Sequence, residues 1–114
     1  MQKVKLMTVN DLCNIDGFSA LTLPDGDREI NGVYIGDLLS WVMGKARGDN
    51  AWITIMSNIN TLAVATLTDV ACVILAEGVT LEDDVKSAAE SKGINVIVSD
   101  FSAYDTAITL NKAM

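Results

Sequence analysis

Ser57, Asn58 and Asn60 close one apolar run, Glu77 and Gly78 close a second, and Ser99 and Ser102 follow a third. All but the glycine carry short polar side chains, and each group stands where a buried strand is expected to end. In an open α/β sheet, ligands bind beyond the carboxyl ends of the strands. These residues are therefore the candidate ligand contacts. Helix starts beside Asn60, Thr80 and Ser102 would add backbone N–H groups suited to an anion. Ser, Thr and Asn are also the preferred helix caps, so capping is the competing role for them.

The chain contains no His. That removes the side chain that most often moves protons near neutral pH, and with it the Ser-His-Asp and Cys-His nucleophile arrangements. Cys13 and Cys72 are far apart and lack metal-ligand spacing, so no metal is expected. Cys72, inside Val-Ala-Cys-Val-Ile-Leu, reads as a small core hydrophobe. The only Gly-Lys pair, Gly44-Lys45, runs into Ala46, and no Gly-x-Gly-x-x-Gly follows a strand. Neither a phosphate loop nor a dinucleotide fold is indicated. Glu82, Asp83 and Asp84 form an acidic helix start whose ordinary role is to offset the helix dipole. An enzyme built on this sequence would have to use a pair such as Asp69 with Asp100. No catalytic residue and no cofactor is assigned.

Acidic residues outnumber basic ones 15 to 8, for a net charge of −7. The basic groupings are Lys3/Lys5 and a smaller pair, Lys45/Arg47, too sparse for the clustered cations that nucleic acid demands. No apolar run reaches membrane-spanning length, and the N-terminus lacks the apolar centre of a signal peptide. With two unspaced cysteines, this points to a reducing, cytoplasmic setting without membrane attachment.

The elements that must position these residues follow from pattern. At 114 residues, half of them hydrophobic, the chain is expected to form a single domain, 1–114, with one ordinary core. Lys3–Met7 is read as extended. Thr8-Val9-Asn10-Asp11 matches a capping box ahead of a short helix, about 9–14. Phe18–Leu23 and Glu29–Ile35 read as strands about a Pro24–Asp27 turn, a β-hairpin-like segment. A helix over 37–47 opens at Asp37, with Leu38, Leu39, Trp41, Val42, Met43 and Ala46 on one broad face. Trp41 and Trp52 are both read as core, with the 37–47 surface around Trp41 and Met43 as an alternative interface. Ala51–Met56, Val70–Leu75 and Ile94–Val98 are near-continuous apolar runs, as in strands covered on both faces. The stretch 60–69 fits strand and helix alike, and helix is chosen because parallel strands need a crossover. Thr80–Asp83 and Ser102–Asp105 match two further capping boxes. The fold class is α/β, a mainly parallel sheet flanked by helices.

From Thr8 to Leu110 the chain resembles the DRTGG domain family. The carrying segments are 32–37 (Gly-Val-Tyr-Ile-Gly-Asp), 52–60, 70–78 and 93–107. Ala76-Glu77-Gly78 falls where that family has Thr-Gly-Gly, and Ser57-Asn58 falls near its Asp-Arg, so the name-giving residues are largely replaced and Gly78 is kept. The resemblance implies a non-catalytic regulatory or dimerisation module. Such domains accompany phosphotransacetylases and lie between CBS domains of regulated pyrophosphatases, where they help bind an adenine dinucleotide, and they are similar to the N-terminal domain of HPr kinase. It further implies a homodimer, with a small anionic ligand such as an adenine nucleotide. An alternative is a protein-interaction subunit of a redox (iron hydrogenase) or signalling complex without a small ligand.

Overall fold

The computed structural model describes residues 6–114. The expected extension at Lys3–Met7 and the Lys3/Lys5 pair fall largely outside them. Within these residues the elements are α1 (Val9–Cys13), β1 (Phe18–Thr22), β2 (Gly32–Ile35), α2 (Leu39–Lys45), β3 (Asn50–Thr54), α3 (Ile59–Thr68), β4 (Cys72–Leu75), α4 (Asp83–Lys92), β5 (Val96–Ser99) and α5 (Ala103–Ala113). The described strands form a five-stranded sheet in the order β1-β5-β4-β3-β2. β2 to β5 are parallel, and β1 joins β5 antiparallel.

Side-chain alternation divides the core between the two faces of this sheet. Trp52, Val73, Leu75 and Val96 point to one face, where Val42 of α2, Leu62 and Ala65 of α3, and Val85 and Ala89 of α4 cover them. Ala51, Ile53, Cys72, Ile74 and Ile97 point to the other, under Val9 and Leu12 of α1 and Leu110 of α5. The central strands are apolar at successive positions because both faces are covered. The stretch 60–69 is indeed the crossover helix. Asn58 caps its start, and Asp69 ends it in the left-handed region at φ 56°.

The hairpin expectation is corrected. β1 and β2 lie on opposite edges of the sheet. The segment between them is a strap along the amino ends of the strands, anchored in turn to each one it passes. Asp25 N donates to Asn95 Oδ1, and Asn95 Nδ2 donates to Asp25 O, just before β5. Arg28 donates to Asp69 O and pairs with the Asp69 and Asp49 carboxylates, ahead of β4 and β3. Asn31 reaches Gly48 O and Asn50. A Pro-Asp-Gly turn suits a hairpin locally, but these anchors carry the chain across the sheet instead.

Local signals fared unevenly. The Thr8 box is complete, with Asp11 N donating to Thr8 Oγ1 and Thr8 N to Asp11 Oδ2. Ser102 Oγ accepts from Asp105 N, the capping half of its box. The Thr80 box does not form: α4 starts later, with Glu82 at the cap position and no side-chain cap bond. Asp37 precedes α2 rather than opening it. Its carboxylate accepts from Thr54 Oγ1 at 2.8 Å and Ile55 N at 3.0 Å, tying the β2–α2 loop to the end of β3. Trp52 is core as expected, but Trp41 is 60% exposed, because α2 turns only Leu39, Val42 and Ala46 toward the sheet.

Cys72 is fully buried, and loss of solvation pushes its thiol up to about 12, with a smaller push from Cys13, itself raised by burial. The unfolded thiol loses its proton near about 8.5, so the folded state holds protons that the unfolded state has released. This contribution is therefore full below about pH 8.5 and falls by about 1.4 kcal/mol per pH unit toward pH 12. Urea melts across the alkaline range should show that slope in the wild type and a shallower one in Cys72→Ala. Equal slopes would assign the alkaline loss to other groups.

Candidate functional site

The residues singled out at strand ends do gather at one end of the sheet. After β3, Met56 N donates to Thr54 Oγ1 and Thr61 Oγ1 donates to Met56 O, which fixes the turn carrying Ser57 and Asn58. After β4, Glu77 and Gly78 take successive left-handed conformations, φ 61° and 68°. That geometry suits glycine and strains Glu77. It is held by Glu77 N donating to Phe101 O and Gly78 N to Ser99 O, each at 2.8 Å. Ser99 is fully buried. Its hydroxyl bonds Thr106 Oγ1 at 2.7 Å and accepts from Phe101 N, so Ser99 shapes the last turn from within, while the half-buried Ser102 caps α5.

Between the starts of α3 and α4 lies a crevice of about 300 Å³, lined by Ser57, Asn58, Ile59, Glu82, Asp84 and Val85. Of the candidates from sequence, Ser57 and Asn58 line it. Asn60, Glu77 and Gly78 lie at the same end of the sheet but outside this lining, and Ser99 and Ser102 serve the β5–α5 turn. Sequence reasoning missed the far wall. The acidic run at 82–84 was the signal, and read in isolation it meant only dipole compensation.

The backbone donors foreseen for an anion are mostly engaged. Asn58 Oδ1 accepts from Asn60 N at 2.9 Å and Thr61 N at 3.3 Å. Asp84 Oδ1 accepts from Val85 N, and Ser102 takes Asp105 N. With the Glu82 and Asp84 carboxylates beside it, the crevice offers hydroxyl and amide groups and an apolar wall, under a negative rim. Asp69 and Asp100 cannot act as a pair: Asp69 precedes β4 at the amino end of the sheet, and Asp100 follows β5 at the carboxyl end.

A larger groove of about 580 Å³ lies elsewhere, lined by Leu6, Met7, Asp11, Ile15, Ile30, Ala113 and Met114. It is mostly apolar, and its Asp11 carboxylate already caps α1. The strand-end crevice has the denser set of polar groups and is the better candidate. Among the described residues, no helix is long and apolar enough to cross a membrane, and no group of three or more Cys, Asp or Glu is placed to hold a metal ion.

The class of protein is an α/β sandwich whose polar turns and crevice stand at the strand ends, where open α/β sheets bind ligands when they have them. The particular family is shown by comparison: the DRTGG domain matches residues 23–113, and the chain belongs to that family. No curated protein matches it. Among solved structures, the chain is similar to the CBS and DRTGG domains of the regulatory region of Clostridium perfringens pyrophosphatase, crystallised with the activator diadenosine tetraphosphate. The TM-score is 0.71 at 13% identity, over 85% of this chain and 43% of that one. The chain thus spans less than half of that structure, and the likeness is one of fold.

Proposed function

We propose that this domain is a non-catalytic regulatory module that acts as a homodimer and responds to an adenine nucleotide. Family membership and the fold shared with a nucleotide-activated regulatory region carry the reading. The candidate ligand contacts are Ser57 and Asn58, with Ile59 and Val85 as an apolar wall for the base. Asn60, Glu77 and Gly78 frame the same end of the sheet. Glu82 and Asp84 repel phosphate, so the nucleotide enters base first, with its phosphates outward or paired with Mg²⁺.

Thermal shift against AMP, ADP, ATP and diadenosine tetraphosphate, with and without Mg²⁺, tests this. A ligand at 100 times its Kd stabilises by about 2.7 kcal/mol. Removing surface repulsion is worth about 0.3–1 kcal/mol per charge, so Glu82→Gln with Asp84→Asn, two charges, should tighten nucleotide binding roughly threefold to thirtyfold. No shift with any of these nucleotides at millimolar level would reject the ligand. A shift untouched by the double substitution would reject this crevice. A second reading, an interaction subunit without a small ligand, is favoured by the exposed side chains of Leu38 and Trp41.

A further inference from the structure

Given the reading of the strand-end crevice as the adenine-responsive site, we propose that it holds the nucleoside half of its ligand and selects against the phosphates, so that adenosine binds more tightly than AMP or ATP. The crevice volume of about 300 Å³ is the low end of the range for small-molecule pockets, room for a base and a sugar rather than a polyphosphate. Ile59, half exposed, and Val85 offer the apolar surface for a purine ring. Asn58 Oδ1 is committed to the amides of Asn60 and Thr61. That leaves Asn58 Nδ2 and the Ser57 hydroxyl to read the base edge. Asp84 Oδ1 accepts from Val85 N, so Asp84 Oδ2 and the Glu82 carboxylate remain as acceptors. The donors that suit them are the paired ribose hydroxyls, which carboxylates take in dinucleotide-binding folds.

The same surroundings oppose phosphate. Among the described residues, no Lys or Arg lines the crevice. Lys86 lies with Asp83, Ser87 and Glu90 on another patch of α4. The α3 amides that would face an anion are those Asn58 already holds. Charge is also segregated along the sheet. Asp37, Glu77 and Asp100 follow β2, β4 and β5 at the carboxyl end, and Asp105 stands in the first turn of α5. Lys45, Lys92 and Lys112 stand in the last turns of α2, α4 and α5, at the other end. Parallel strands joined by helices gather helix starts at the carboxyl end, so acids that suit helix starts also make the ligand end negative. A phosphate in the crevice meets carboxylates without a lining base to offset them, while an uncharged nucleoside meets only hydrogen-bond partners.

Isothermal titration with adenosine, 2′-deoxyadenosine, AMP and ATP, without Mg²⁺, at about 20 mM and about 500 mM salt tests this. Adenosine should bind about tenfold tighter than AMP at low salt, with ATP weaker again. High salt should narrow that gap, because it screens the charge at the rim. 2′-Deoxyadenosine should bind about tenfold weaker than adenosine at either salt, through the lost hydroxyl donor. Glu82→Gln with Asp84→Asn keeps an acceptor oxygen at each position and removes the charge, so it should tighten AMP more than adenosine. The salt arm needs only the wild type, in case that variant does not fold. AMP or ATP binding as tightly as adenosine at low salt overturns the nucleoside preference and leaves the nucleotide-responsive reading intact. Binding of none of the four overturns both.

Discussion

Asn95→Asp is expected to cost about 3–5 kcal/mol of stability at neutral pH, far more than a one-atom change suggests. Asn95 is buried, and its amide group donates to Asp25 O at 2.8 Å and Ala71 O at 2.9 Å. Its carbonyl accepts from Asp25 N. The substitution replaces a double donor with a carboxylate facing two carbonyl oxygens, inside the protein. Burial raises the new carboxyl's pKa, so the variant is most stable below the ordinary carboxylate range, near about pH 4, and weakens as pH rises through the folded value. The gap to wild type should therefore narrow in acid. Urea melts at acidic and neutral pH measure it. A neutral-pH loss under about 1 kcal/mol would mean that Asn95 does not hold the strap.

The second large effect is at Trp52, which is fully buried between α2, α3 and the sheet and donates Nε1–H to Gly36 O at 2.9 Å. Trp52→Ala should cost about 3–5 kcal/mol through the cavity it leaves. Trp52→Phe separates volume from bonding. It keeps much of the apolar contact but leaves Gly36 O without its donor, at about 1–3 kcal/mol. The loop released is the one that presents Asp37, Leu38 and Trp41. Hydrogen exchange in Trp52→Phe should therefore quicken at the Gly36 and Ile55 amides before it changes in β4. Uniform exchange across the sheet would show that the indole serves packing alone.

These two residues mark what could and could not be read from the chain. Trp52 in an apolar run was legible as core, because a strand covered on both faces needs apolar residues at successive positions. Asn95 was not: it sits in a buried run, and its partner at Asp25 is 70 residues away. The strap illustrates the same limit. Its turn residues satisfied hairpin chemistry, but Asn95, Asp69 and Asp49 outbid that local preference once the fold brought them alongside. Leu38, Trp41 and Met43 follow helical spacing, which places them on the buried face, yet all three are exposed. α2 covers only the sheet edge, so its buried stripe is narrow.

The candidate site divides in the same way. Ser57 and Asn58 were legible because polar residues ending a buried strand lie at the carboxyl end of the sheet. Ser99 looked identical in sequence, yet its position against α5 buries it on Thr106. Glu82 and Asp84 became a wall only through the approach of α4 to α3. By itself the sequence determined the helices, the central strands and the end of the sheet where polar turns collect. Those depend on residue periodicity and on caps spanning a few positions. Only the tertiary structure decided the edge order, the strap, the lining of the crevice and the exposed stripe of α2, because each depends on which distant segments meet.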